Sequence, residues 1–264
     1  MRNQPISVAR STCAELPGAT GDVCAQLDQI TAFLCENIGE KLIGVYLHGS
    51  LALGCFNPAQ SDLDLLVLTL EPLGDEAARA VLTRLLALSG QPRPVEISSL
   101  CYAQIVPWRH PTPYDLHFSE THRAYLTALL AQPGAPLPVP GVDADLAAHF
   151  TVLQARGRCL YGAPIASLPL AVPWADYLDS LRQDFAWARA AGGVYAVLNG
   201  CRTWAAVEAG LVLSKAEGAV WAEPRLPTPL RRIVRAAARG YAGTAQELPE
   251  AGALLDWVRA RLGW

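Results

Sequence analysis

Residues 48–68, HGSLALGCFNPAQSDLDLLVL, constrain the fold more than any other part of this chain. They follow the apolar run Leu42-Ile43-Gly44-Val45-Tyr46-Leu47, so a strand is expected to end in a Gly49-Ser50 turn before a second strand carries Asp62-Leu63-Asp64. Side chains at i and i+2 of a strand share a face. Asp62 and Asp64 therefore point the same way, while Leu63 and Leu65 point into a core. Two hard oxygen ligands on a strand edge suit Mg²⁺ that also holds nucleotide phosphates. Gly49 lets the backbone approach a phosphate closely, and Ser50 with its N–H can donate to it. The pattern points to nucleotidyl transfer.

The 264 residues fit one large domain or two modest ones, and 52% hydrophobic with 17% charged residues excludes a disordered chain. A net charge of −3 provides no basic field for nucleic acid. The seven cysteines, Cys13, Cys24, Cys35, Cys55, Cys101, Cys159 and Cys201, never occur as CxxC pairs. They read as free or buried thiols in a reducing cytoplasm, without a disulfide framework or zinc site. The N-terminal MRNQPISVARSTCAELPG lacks the apolar stretch of a secretory signal, and no apolar run reaches the length of a membrane span.

Helical spacing of Val23, Leu27, Ile30, Phe33 and Leu34 predicts a helix over 21–38. A short helix opened by Ser50, a strand over 62–70, a helix over 74–90 and a strand over 95–101 follow. The Pro/Gly cluster at 133–141 reads as a surface loop. From about 143 the pattern is helical, with candidate helices at 143–157, 174–191, 194–210, 228–241 and 245–262, and no strand signal recurs. The expected organisation is an N-terminal α/β domain followed by an all-helical domain, with the boundary near 161–173.

Glu96 puts a third carboxylate inside the apolar strand Val95-Glu96-Ile97. If that strand lies beside the Asp62–Leu70 strand, Glu96 faces the two aspartates. It could complete a metal site or take a proton from a hydroxyl nucleophile. Clustered carboxylates raise one another's pKa unless a cation neutralises them. His48 reads as a local hydrogen-bond partner, His110, His117 and His122 as polar surface, and Trp108 and Trp204 as domain-interface packing. Glu120 and Asp184 read as helix charges that could add negative potential to a cation-binding cleft.

The 48–68 run resembles the nucleotidyltransferase signature of the DNA polymerase β superfamily, and most closely the streptomycin/spectinomycin (aminoglycoside 3″ and 9) adenylyltransferases. VEISSLCYAQIVPWRHPTPYDLHFSE, DADLAAHFTVLQARGRCLYGAP, LNGCRTW and SKAEGAVWAEPRLP extend the resemblance over roughly residues 40–245. It implies an α+β fold: a polymerase β-type nucleotidyltransferase domain with a mixed sheet over 1–160, then an all-helical domain over 161–264 that closes the nucleotide and drug cleft. It also implies a cytoplasmic, monomeric resistance enzyme that uses ATP and Mg²⁺. Asp62 and Asp64 would bind the metal together with Glu96, the base on the drug hydroxyl. Arg202 and Lys215 would join Gly49 and Ser50 on the nucleotide.

For the drug, the streptomycin-accepting branch carries a tryptophan and an aspartate at the positions of Thr121 and Gly192. Neither Thr121 nor Gly192 supplies an aromatic wall or an acidic partner for a guanidinium, so spectinomycin is the expected acceptor. Rival readings are transfer to another small-molecule hydroxyl or a protein side chain, and a non-catalytic nucleotide- or ligand-binding sensor. Retention of Asp62, Asp64 and Glu96 argues against the sensor.

Overall fold

The computed structural model describes residues 13–132, 134–137, 140–243, 248 and 251–264. The chain divides into two compact units, Met1–Val172 and Pro173–Trp264. In the first, the elements run α1 (Gly21–Ile38), β1 (Leu42–Leu47), α2 (Gly49–Ala52), β2 (Leu63–Thr69), α3 (Asp75–Leu88) and β3 (Val95–Cys101). After these come α4 (Tyr102–Ile105), β4 (Thr112–Tyr114), β5 (Leu116–Phe118), α5 (Arg123–Leu130), β6 (Gly141–Asp143), α6 (Leu146–Arg156) and β7 (Arg158–Gly162). A mixed sheet has the order β5-β3-β2-β1-β7, and β4 pairs with β6 in a separate ribbon. Only β2 and β3 pair in parallel within the mixed sheet, joined by the α3 crossover.

The apolar run of β2 reflects a sheet covered on both faces. Val45, Leu47, Leu63, Leu65, Val67, Val95 and Ile97 pack with α1 and α3. Tyr46, Leu66, Leu68 and Leu100 pack on the opposite face with Phe150 and Leu153 of α6. That second apolar layer begins at Leu66, which leaves Asp64 and Glu96 half-buried on the same face at the start of their strands.

The strand β7 was not expected, because no strand signal was read beyond residue 143. Its five residues carry little pattern of their own, and pairing with β1 defines it. It also straddles the 160/161 position and lies in the first unit's sheet. The short β4, β5 and β6 and helix α5 were likewise unread. Residues 133, 138 and 139 of the expected 133–141 loop, the first twelve residues of the polar N-terminus, and 245–247, 249 and 250 of the expected 245–262 helix lie outside the described residues.

Cys13 and Cys24 form a disulfide, which corrects the expectation of free thiols throughout; the 3-10 turn Cys13–Glu15 packs back on α1 and brings together residues whose spacing announced nothing. Cys35, Cys55, Cys101, Cys159 and Cys201 stand outside any disulfide.

The second unit contains α7 (Trp174–Ala191), α8 (Gly193–Ala209), α9 (Lys215–Ala222), α10 (Thr228–Ala242) and α11 (Ala251–Leu262). The middle of α8 is buried nearly all round, as its Ala-rich sequence permits. Helix α9 was unread, although Ser214 and Glu217 form the capping box that S-x-x-E encodes. Gly218 lets α9 press against α8: a Cβ there would come within 2.7 Å of the Arg202 backbone nitrogen.

Trp204 is 2% exposed, and its ring meets Trp221 and Trp257 edge-on at 4.9 Å each. Trp108 packs against Phe150 inside the first unit. Both tryptophans thus have core roles within their own units. Trp204→Ala is expected to cost about 3–5 kcal/mol in denaturant unfolding of the helical unit. A loss below about 1 kcal/mol would contradict this account of its core.

Candidate active site

Parallel pairing sets Asp64 of β2 directly opposite Glu96 of β3. Asp62 stands just ahead of β2, and one carboxylate oxygen from each of Asp62, Asp64 and Glu96 lies within 4.8 Å of the others. The strand starts are laced together before any ligand arrives. Leu63 N donates to Pro94 O at 2.9 Å, and Arg93 Nε donates to Ser61 O at 2.7 Å. Buried Gln26 reaches across from α1, with Nε2 donating to Leu88 O and Arg93 O at 2.8 and 2.7 Å. The connecting loop is held by Asn57 N donating to Ser61 Oγ at 3.0 Å.

Gly49 has φ +64°, and a Cβ there would overlap the Asp64 carboxylate. Both the backbone conformation and the close approach therefore require glycine. The adjoining His48 N–H donates to Asp64 O at 3.0 Å, and Arg156 Nη2 ties α6 to Leu53 O at 2.8 Å. Ser50 Oγ is buried and has no hydrogen-bond partner among the described residues. A buried hydroxyl left this way normally costs stability and has capacity to donate to an acceptor.

The electrostatics follow from the crowding. Burial raises the Glu96 pKa; His149 opposes this, while Asp62, Asp145 and Asp143 add to it. His149 on α6 went unread in the sequence. Burial disfavours its charge, but Asp145 at 3.5 Å, with Glu96 and Asp64, outweighs that and raises its pKa to about 10. The available signal was an Asp–His pair at i and i+4 over the start of α6.

His48, 4% exposed and 4.6 Å ring to ring from His149, has its pKa driven well down, first by burial and then by His149. His117 departs from the surface reading: half-buried, its Nδ1 shares a 3.0 Å hydrogen bond with Ser98 Oγ. With Asp115, His122 and Tyr125 it lines a cavity of about 180 Å³.

Arg202 and Lys215 lie in the helical unit, on α8 and at the first position of α9. Thr121 is exposed in a 3-10 turn, and Gly192 occupies the α7–α8 turn with φ +72°. Glu120 is engaged locally, accepting from Arg123 Nε at 2.6 Å and from Ser89 Oγ.

A family model for the nucleotidyltransferase domain matches residues 27–120, and one for the aminoglycoside adenylyltransferase C-terminal domain matches 168–258. The two matches fall on the two halves of the chain, the second on the C-terminal domain of aminoglycoside adenylyltransferases. It is 28% identical over 240 residues to the aminoglycoside (3″)(9) adenylyltransferase of Shigella flexneri, covering 86% of this chain and 88% of that protein. It is 25% identical over 238 residues to the spectinomycin 9-adenylyltransferase of Staphylococcus aureus, with the same coverage. The crystal structure of spectinomycin adenyltransferase AAD(9) from Enterococcus faecialis with ATP and spectinomycin matches with a TM-score of 0.78 at 20% identity. The match spans 91% of this chain and 99% of that one. The likeness in fold covers the mixed sheet and the helical unit that follows it. Among the described residues, no helix is long and apolar enough to cross a membrane.

The two buried imidazoles predict opposite pH effects on stability. His48, depressed in the fold, destabilises the protein as pH falls below its unfolded value near 6.5. His149, raised to about 10, contributes stability fully present below about 6.5 and lost as pH rises toward 10. Between pH 7 and 5, wild type should lose stability relative to His48→Gln with a slope approaching about 1.4 kcal/mol per pH unit. Parallel thermal-melt curves for the two proteins would contradict the buried, neutral assignment.

Proposed function

We propose that this enzyme transfers AMP from ATP to a hydroxyl of a small aminocyclitol, with spectinomycin the preferred acceptor, and so confers resistance to it. The observation that carries the reading is the convergence of Asp62, Asp64 and Glu96 beside a glycine that only a side-chain-free residue can occupy. ATP as co-substrate and an aminoglycoside or aminocyclitol acceptor agree with the family and with the ligands named for the Enterococcus structure.

Three hard carboxylate oxygens, with Glu96 already destabilised as an anion, fit a divalent cation. Asp62, Asp64 and Glu96 would hold Mg²⁺, which when bound would neutralise charge on the phosphates. Ser50 Oγ and the backbone at Gly49 would donate to phosphate oxygens. Arg202 and Lys215 would contribute the cations that steady the departing pyrophosphate. Glu96 would accept the proton of the acceptor hydroxyl. The hydroxyl oxygen then bonds to the α-phosphorus as the bridge to the β-phosphoryl breaks, and pyrophosphate leaves with the electron pair.

Thr121 and Gly192 support spectinomycin over streptomycin, because neither offers an aromatic wall or a carboxylate to a guanidinium. A net charge of −3 without a basic field supports a small-molecule acceptor rather than nucleic acid. We read the enzyme as a monomer acting in the cytoplasm, where ATP is supplied; the five cysteines outside a disulfide fit that compartment, and the Cys13–Cys24 disulfide is the exception.

Pyrophosphate release from ATP and Mg²⁺ should appear with spectinomycin and be weak or absent with streptomycin. Turnover with neither drug would overturn the resistance reading; turnover with streptomycin alone would overturn the specificity assignment. Glu96→Gln should lower kcat by about 10²–10⁴-fold while ATP affinity stays within about threefold. Unchanged kcat would remove Glu96 from the role of base.

A further inference from the structure

In the helical unit, Arg202 and Lys215 belong to a network whose other members, Asp184, Tyr195 and Asn199, the reaction as described leaves without a role. Asp184 on α7 is mostly buried, its side chain 13% exposed. Its Oδ2 accepts from Arg202 Nη2 at 3.1 Å, and its Oδ1 accepts from the Tyr195 hydroxyl at 3.0 Å. Arg202 Nε donates to Asn199 Oδ1 at 2.6 Å. Tyr195, Asn199 and Arg202 recur at i, i+4 and i+7 of α8, so one helix face presents all three. The Lys215 ammonium stands 4.2 Å from the centroid of the Tyr195 ring, and Trp187 closes edge-on against that ring at 5.6 Å.

Each contact removes a different freedom. A guanidinium held at Nε and Nη2 by two separate acceptors has its plane fixed, which matters because Arg recognises phosphate as a planar fork. Lysine is a point charge on a flexible stem, and an aromatic face beneath it selects one position for that charge. A phenol that donates its proton to a carboxylate gains electron density in its ring, which strengthens the ring's hold on the ammonium. One carboxylate thus acts on both cations, directly on Arg202 and through Tyr195 on Lys215. The capping box at Ser214 and the close α8–α9 approach at Gly218 fix the backbone from which Lys215 projects.

We propose that Asp184 and Tyr195 are positioning residues for ATP binding: together they set the Arg202 plane and the Lys215 ammonium before the triphosphate arrives. The proposal rests on the reading of Arg202 and Lys215 as phosphate ligands. It assigns no contact with substrate to Asp184 or Tyr195.

The test is steady-state kinetics of the full chain with ATP, Mg²⁺ and the acceptor, for Tyr195→Phe, Tyr195→Leu, Asp184→Asn, Lys215→Ala, Arg202→Ala and the Tyr195→Leu/Lys215→Ala pair. Far-UV circular dichroism and melting temperature establish that each variant is folded. Tyr195→Leu should raise the KM for ATP by about five- to tenfold, with kcat falling less and the acceptor KM within about twofold. Tyr195→Phe, which keeps the ring, should recover most of the loss, and Asp184→Asn should resemble Tyr195→Leu. Because Tyr195 acts through Lys215, Tyr195→Leu should add little once Lys215 is alanine.

If Lys215→Ala and Arg202→Ala raise the ATP KM but folded Tyr195→Leu and Asp184→Asn do not, the proposal alone is overturned. Multiplying effects in the Tyr195→Leu/Lys215→Ala pair overturn it as well. If Lys215→Ala and Arg202→Ala leave the ATP KM unchanged, the phosphate assignment fails and the proposal fails with it.

Discussion

The convergence of three carboxylates at the starts of β2 and β3 is the constraint that the candidate site in the first unit is built around. The parallel pairing that puts Asp64 opposite Glu96 brings like charges together, and Asp62 adds a third. Left alone, such a trio opposes the fold. Its neighbourhood is built to withstand that. Gln26, Arg93 and Ser61 bind the strand starts and loop into a fixed frame, and His149, held by Asp145, brings positive charge to the cluster. The apolar layer under α6 begins only at Leu66, so at the strand starts the half-buried carboxylates meet His149 of α6 in place of apolar side chains. A cation bound there would relieve the repulsion, which links the arrangement to nucleotide chemistry.

On the proposed reading, Arg202 and Lys215 of the second unit supply the cations for the triphosphate. Both are held in place by neighbours, one through a buried carboxylate and an amide, the other over an aromatic ring. Fixed cations lose less freedom on binding a triphosphate than free surface side chains would. Charge preorganisation is therefore the common theme of both units, negative in the sheet and positive in the bundle.

Much of this was legible in the sequence because the relevant signals are local. Strand periodicity placed Asp62 and Asp64 on one face, and a carboxylate inside Val95-Glu96-Ile97 stood out against its apolar neighbours. The pairing that makes Glu96 the partner of Asp64 is non-local and could be stated only as a condition. For His149 the sequence offers only the i, i+4 pair with Asp145, a weak local signal; its meaning comes from the tertiary neighbours Glu96 and Asp64. Strand β7 escaped for a similar reason, since pairing with β1 defines it. Helix α9 is different: the S-x-x-E cap is written in the sequence, but the eight residues of the helix are too short a run for periodicity to announce it. The Cys13–Cys24 disulfide depends on a 3-10 turn folding back onto α1, which cysteine spacing does not encode.

The central claim is that the β2–β3 carboxylates bind the divalent cation together with the nucleotide. Mn²⁺ titration followed by electron paramagnetic resonance, with a non-hydrolysable ATP analogue, tests it most directly. Wild type should bind Mn²⁺ tightly only when the analogue is present, and Asp64→Asn should weaken that binding by at least about tenfold while remaining folded. Identical nucleotide-dependent Mn²⁺ binding in wild type and Asp64→Asn would contradict the account.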